Sequence, residues 1–95
     1  MAKAYLIAHI RVQDAKTFEG FKSASGAALQ KHGGRPLVRN PDPEMREGDL
    51  GRMTVVVEFD SMDAARAFYE SPEYTEARKL RETCSETDLI LVEGL

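Results

Sequence analysis

The chain has 95 residues, 42% of them hydrophobic, and its formal net charge of -3 disfavours nucleic acid as a partner, because nucleic-acid binders carry a basic face. No apolar run reaches the roughly 18–20 residues of a membrane span and the N-terminus lacks the apolar stretch of a signal peptide, so we expect one soluble, cytoplasmic domain over residues 1–95. The single cysteine, Cys84, excludes an intramolecular disulfide and a cysteine-based zinc cluster.

The first half of the chain predicts a strand, a helix and a second strand. Residues 4–12 alternate with period two, which indicates a strand with one apolar face and one mixed face. Asp14 is a typical helix N-cap, and apolar residues at helical spacing predict an amphipathic helix over residues 15–32. Residues 35–40 predict a short strand that Pro41 ends, because proline lacks a backbone donor.

The second half predicts a strand, a broken helix and a last strand. Residues 52–60 alternate strictly and are rich in valine, which favours a strand. Ser61 caps one helix, and Ser71 with Pro72 marks the start of another. Residues 87–93 predict the fourth strand. The order βαββαβ predicts an α+β, ferredoxin-like fold, in which both helical segments cover one face of a four-stranded antiparallel sheet.

The sheet face away from the helices is not cleanly polar. It offers large apolar side chains, namely Tyr5, Ile7, Val56 and one of Leu89 or Ile90. Burying one such side chain stabilises a protein by roughly 1.5–3 kcal/mol, so exposing all of them forgoes roughly 6–12 kcal/mol, comparable with the net stability of a domain. A second sheet packed on this face would recover that free energy. We therefore expect a homodimer.

Short motifs along nearly the whole chain resemble those of one family. They are Ala4-Tyr5-Leu6-Ile7-Ala8, the Asp14 cap, residues 33–39, Val57-Glu58-Phe59, Ser71-Pro72-Glu73-Tyr74, Arg81 and residues 88–94. Together they resemble the DUF1330 family, whose function is unknown. The resemblance implies a dimeric α/β-barrel, in which two ferredoxin-like sheets face each other, and it implies no established reaction. Asn40-Pro41 departs from the glycines that often stand there in the family, which predicts a stiffer loop.

His9 and Glu58 are the candidate catalytic residues. Both lie on the same nominal face of the first and third strands, which should be neighbours at the centre of the sheet. A histidine and a carboxylate within reach of each other can act as a general acid–base pair, and Arg11 on the same face could hold an anionic substrate. The alternative is a charged cluster at the dimer seam that is satisfied by its own ion pairs.

Arg39, Tyr74 and Arg81 are the candidate ligand-binding residues. Arg81 shares the inward side of a helix with Tyr74, where an unpaired guanidinium is costly. It would pair with Glu58 or Asp88, or it would hold a ligand's carboxylate. Tyr74 would be a core residue or would line the mouth of a pocket.

Two functions from different classes stay open. The first is a domain that binds or transforms a small, anionic organic molecule without a prosthetic group or other cofactor; the second is a non-catalytic homodimeric module. No metal site is expected, because the acidic loop over residues 42–49 lacks EF-hand spacing. An enclosed cavity lined by the candidate residues would favour binding, and a solid core with every charge paired would favour the module.

Overall fold

The computed structural model describes residues 2–50 and 53–95 and confirms the α+β, ferredoxin-like fold. Its elements are β1 (Ala4–Val12), α1 (Ala15–Lys31), β2 (Arg35–Asn40), β3 (Met53–Phe59), α2 (Met62–Tyr69), α3 (Pro72–Cys84) and β4 (Ser85–Glu93). The strands pair antiparallel in the order β2-β3-β1-β4. The predicted strand start at Arg52 lies outside the described residues. None of the described helices has the length and apolar character to cross a membrane.

Capping side chains set where the helices begin, as the sequence predicts. The Asp14 carboxylate accepts backbone N–H groups from the first turn of α1, and the Ser61 hydroxyl does the same for α2. Ser71 Oγ accepts the backbone N–H of Tyr74 at 3.1 Å, and Pro72 occupies the first turn of α3. This cap fixes the start of α3 and therefore the position of Tyr74.

The helices cover one face of the sheet because alternate strand residues are apolar. The buried residues of the two central strands are Ala4, Leu6, Ala8, Ile10, Val57 and Phe59. Above them, the ring centroid of Phe68 lies 5.4 Å from that of Phe59 and 4.5 Å from that of Tyr74. These aromatic contacts join β3, α2 and α3, and they hold Tyr74 in the core.

Strand β4 starts two residues earlier than the sequence pattern predicts. It follows α3 without a connecting loop, since Cys84 ends the helix and Ser85 begins the strand. The register aligns Ser85 with Val12 of β1. The sequence pattern did not predict these first two residues of β4 as strand, because they are polar. Their strand conformation depends on pairing with β1, which β propensity alone does not predict.

The other face of the sheet carries no helix, and we call it the open face. Its residues, which the register aligns across the four strands, are Tyr5, Ile7, His9, Arg11, Arg35, Val38, Asn40, Thr54, Val56, Glu58, Glu86, Asp88, Ile90 and Val92. One row across the open face is apolar on every strand and consists of Val38, Val56, Ile7 and Ile90. Ile90 is 57% exposed, whereas Leu89 faces the helices, so Ile90 is the apolar open-face residue that the sequence left undecided.

The turn between α1 and β2 brings the backbone of Gly34 close to the hydrophobic core. A Cβ on Gly34 would lie 2.5 Å from Leu29 Cδ2 and 3.0 Å from the Phe59 ring, and both side chains are buried. Gly34→Ala should therefore lower the free energy of unfolding by about 1–3 kcal/mol, as overpacking does. Gly26→Ala, inside α1 with nothing within 4 Å of the new Cβ, should raise it by about 0.5–1 kcal/mol.

Urea denaturation of both variants measures these two changes. Equal effects of the same sign would contradict the close approach of the turn to the core.

Candidate ligand-binding site

A cavity of about 50 Å³ lies between the sheet and the three helices. Most of its lining is apolar, and its polar members are Lys22, Ser25, Arg39, Tyr74 and Arg81. The exposed lining residues are on β2, at the edge of the sheet. The cavity therefore opens to solvent along β2, and its buried lining includes Tyr74 and Arg81 of α3. It includes the three predicted ligand-binding residues.

Arg81 and Tyr74 form the buried polar end of the cavity. They are two helical turns apart on α3 and thus on the same face of that helix, and their exposed fractions are 7% and 3%. Arg81 Nη1 donates a hydrogen bond of 2.6 Å to the Tyr74 hydroxyl. The Arg81 guanidinium also lies 5.8 Å from the ring centroid of Phe21. Aromatic rings and one hydroxyl therefore hold this cation in place.

The Arg81 guanidinium has no carboxylate partner. Within residues 2–50 and 53–95, no carboxylate oxygen lies within 4.0 Å of it. The expected partners Glu58 and Asp88 lie on the open face, where they bond to Arg35 and Arg11. The ion-pair interpretation of Arg81 is therefore wrong. A buried cation without an anion is costly.

Tyr74 complements the charge of Arg81. Burial raises the pKa of the Tyr74 phenol, and the nearby Arg81 charge opposes this shift only in part. The phenol is therefore neutral near pH 7, so it accepts from Arg81 and keeps its own proton to donate. A guanidinium and a hydroxyl at one point of an apolar cavity form a pair of donors suited to an anionic group.

The other polar lining residues differ in depth and in their partners. Lys22 Nζ lies 2.9 Å from a carboxylate oxygen of Glu19, and buried Ser25 Oγ donates to the backbone carbonyl of Lys22 at 3.3 Å. Arg39 is exposed on β2. Sequence reasoning missed Lys22 and Ser25 as lining residues, although they follow Phe18 at the spacing of one helix face. Their polar character obscured that signal.

His9 and Glu58 lie on the open face, away from the cavity and from each other. The register pairs Glu58 with Tyr5, and His9 lies four positions further along β1, about 13 Å away. His9 Nδ1 lies 3.3 Å from Thr54 Oγ1. Glu58 accepts from Arg35 Nε at 3.0 Å, and this contact holds the pKa of Glu58 below its usual range. The expected acid–base pairing of His9 with Glu58 is therefore not formed in this chain.

Other groups with chemical potential do not assemble a second site. Among the residues that the structure describes, no three His, Cys, Asp or Glu side chains come together as ligands for a metal ion. Cys84 is 1% exposed, and burial raises the pKa of its thiol. A neutral, inaccessible thiol is a poor nucleophile, so the cavity is the site that merits a functional interpretation.

Comparison with known proteins agrees with this architecture. The family model described as "Domain of unknown function (DUF1330)" matches residues 3–95. No curated protein sequence matches the chain.

Several solved structures share the fold. The RPA0582 protein of unknown function from Rhodopseudomonas palustris superposes with a TM-score of 0.81 at 18% identity, covering 99% of this chain and 83% of its own. A dimeric protein of unknown function and ferredoxin-like fold from Bacteroides fragilis gives 0.66 at 19%, covering 97% and 96%. SnoaB from Streptomyces nogalater, a cofactor-independent oxygenase, gives 0.69 at 15%, covering 100% and 95%. At these identities the likeness shows the fold and no activity.

Removing the Arg81 charge tests whether it serves stability. Arg81→Met keeps a long side chain against Phe21 and removes a buried cation, but it leaves the buried Tyr74 hydroxyl without its donor. These two effects oppose each other, so the free energy of unfolding should change by no more than about 1–2 kcal/mol. Tyr74→Phe, which takes the hydroxyl acceptor from Arg81, should lower it by about 1–2 kcal/mol. Urea denaturation measures both. A loss above about 2 kcal/mol for Arg81→Met would make Arg81 a structural residue.

Proposed function

We propose that this chain, which belongs to the DUF1330 family, is a homodimeric domain whose cavity binds a small organic anion without a prosthetic group. The observation that carries this proposal is the buried Arg81 guanidinium, which lines an apolar cavity beside the Tyr74 hydroxyl and has no carboxylate within 4.0 Å among the described residues. A ligand's anionic group would supply the missing counter-charge.

The chemistry of the lining supports an anion with a small apolar body. Charge-assisted hydrogen bonds from Arg81 and Tyr74 would contribute about 1.5–3 kcal/mol each in a site shielded from water. Phe21, Leu29 and Val55 would contact the carbon atoms of the ligand. The volume of about 50 Å³ is far below the roughly 300–1,000 Å³ of pockets for drug-sized molecules. The ligand is therefore small, or only one end of it enters the cavity.

The same site defines where a reaction would take place. If the bound molecule is transformed, the Tyr74 hydroxyl is the group placed to give or take a proton, and Arg81 would stabilise negative charge that develops beside it. SnoaB, described as a cofactor-independent oxygenase, supports the view that this fold can host chemistry without a bound cofactor. His9 and Glu58 stay candidates for a role at the open face.

The open face supports the homodimer. Its apolar row crosses all four strands, and Ile90 and Val38 are 57% and 40% exposed. A face about 19 Å by 23 Å gives each copy about 440 Å², so two copies bury about 900 Å² of planar area, close to the roughly 1,000 Å² at which specific interfaces begin. The neighbour from Bacteroides fragilis is described as dimeric. Because the cavity lies on the other side of the sheet, each protomer would keep its own site.

The competing proposal, a non-catalytic homodimeric module, accounts for the open face alone. It requires a solid core with paired charges, and neither the cavity nor Arg81 fits that requirement. A cytoplasmic location belongs to our proposal and is consistent with the free thiol of Cys84.

Short carboxylates and their amides test the binding site. Butanoate should bind at least tenfold more tightly than butanamide, because the two share a carbon skeleton and only the acid carries charge. Arg81→Met should abolish this preference, and the matched control Arg66→Met, an exposed arginine on α2, should keep it. NMR titration gives the dissociation constants, and native mass spectrometry would detect a co-purified acid. Equal binding of acid and amide would contradict the proposal.

The oligomeric state tests the open face. In sedimentation equilibrium at micromolar concentration, the protein should have twice its monomer mass of 10.6 kDa. Ile90→Lys should shift the equilibrium to monomer, because it places a charge in the apolar row. Leu80→Lys, on the exposed side of α3, should leave the dimer intact. A wild-type protein found only as monomer would refute the dimer.

A further inference from the structure

All the charged residues that line the cavity are cations, although the chain has a net charge of -3. They are Lys22, Arg39 and Arg81, and no Asp or Glu contributes to the lining. Glu19 neutralises Lys22 locally, with 2.9 Å between the charged atoms. Among the described residues, Arg39 and Arg81 have no carboxylate oxygen within 4.0 Å. The cavity thus has two uncompensated positive charges.

These two cations differ in their depth within the cavity. The register places Arg39, Val55, Ala8 and Leu89 in one row across the sheet, and all four line the cavity. Arg39 belongs to the exposed edge strand, whereas Arg81 is buried on α3, which contacts β4. One charge therefore stands at the mouth of the cavity and the other is buried inside it.

The backbone that carries Arg39 is held in place. Arg39 pairs with Val55 in the β2–β3 ladder, and the turn that follows is closed by a hydrogen bond of 2.8 Å from the Asp42 backbone N–H to Asn40 Oδ1. Pro41 restricts the same turn. The backbone position from which the Arg39 side chain extends is therefore fixed at the rim of the cavity. A residue on a long flexible loop would have no such fixed position.

We propose that the site selects an organic diacid, with one carboxylate held by Arg81 and Tyr74 and the other held by Arg39 at the mouth. This inference rests on the proposed function and adds the class of its ligand. A cavity of about 50 Å³ admits one end of such a molecule, so the second end emerges along β2, where Arg39 lies. The outer carboxylate stays partly hydrated and contributes less than the inner one.

Matched acids of equal chain length test this inference. Succinate, glutarate and adipate are titrated by NMR against butanoate, pentanoate and hexanoate, which lack the second carboxylate. In low salt, the best diacid should bind about three- to fivefold more tightly than its monoacid partner, as expected for a solvent-exposed ion pair. Salt at about 0.5 M should remove this preference by screening the exposed charge.

Variants assign the preference to the mouth. Arg39→Gln should reduce the diacid-to-monoacid affinity ratio to about one, whereas the matched control Arg66→Gln, also exposed but away from the cavity, should keep the wild-type ratio. Arg81→Met should weaken both kinds of acid at least tenfold.

The outcomes separate this inference from the proposed function. A ratio of one in the wild type, a preference that survives Arg39→Gln, or a failure of every diacid to bind would overturn the diacid proposal. Monoacid binding that still depends on Arg81 would then leave the proposed function standing. A monoacid affinity that is unchanged by Arg81→Met would overturn the proposed function as well.

Discussion

The proposed function depends on one guanidinium that is buried among aromatic rings and bonds to a tyrosine hydroxyl, with no carboxylate oxygen within 4.0 Å among the described residues. The exposed fraction of Arg81 is 7%, and the hydrogen bond from its guanidinium to the Tyr74 hydroxyl is 2.6 Å long. Desolvating a cation costs several kcal/mol unless an anion compensates it. Elsewhere in the described chain, arginines such as Arg35 and Arg11 each bond to two carboxylates. Among the described residues, Arg78 and Arg39 also have no carboxylate oxygen within 4.0 Å, but Arg78 is half-buried and bonds to the Tyr69 hydroxyl, and Arg39 is exposed. Arg81 differs from both because it is buried and lines the cavity.

The sheet separates two tasks by the alternation of its side chains. On the side facing the helices, small and apolar strand residues leave room for the cavity beneath α1 and α3. On the open face, an apolar row lies between polar rows that contain His9 on one side and Glu58 on the other. The proposed binding and the proposed assembly thus use opposite surfaces of one layer. In the proposed dimer, a ligand site would be complete within each protomer, since no cavity-lining residue faces the partner.

Much of the fold could be predicted from the sequence, because local signals agree with one another. Period-two strands and the caps at Asp14, Ser61 and Ser71 gave element bounds within two residues of those in the structure. The face assignment of β1 was also correct, since alternation alone decides which residues are buried. The register between strands was not predictable, because no local sequence pattern determines which residues of two paired strands lie opposite each other. His9 and Glu58 share a face of the sheet, but in the register they are four positions apart.

The candidate site was only partly predictable for a related reason. Arg39 was singled out by residue type, and Tyr74 and Arg81 by residue type and helical position; the structure brings all three to one cavity. The sequence left the partner of Arg81 open between Glu58, Asp88 and a ligand, because the choice depends on which side of the sheet each residue faces; in the structure Glu58 and Asp88 pair with Arg35 and Arg11. Ser25 was missed because a buried serine on an apolar helix face resembles a solvent-exposed residue in sequence.

One measurement tests the central claim most directly, namely the proton–nitrogen NMR spectrum of the arginine Nε–H groups during titration with butanoate. The Arg81 signal, identified by its loss in Arg81→Met, should shift saturably, while the signals of Arg35 and Arg11, whose carboxylate partners are already in place, should stay where they are. An Arg81 signal that does not respond, or one that responds no more than those of the paired arginines, would contradict the account.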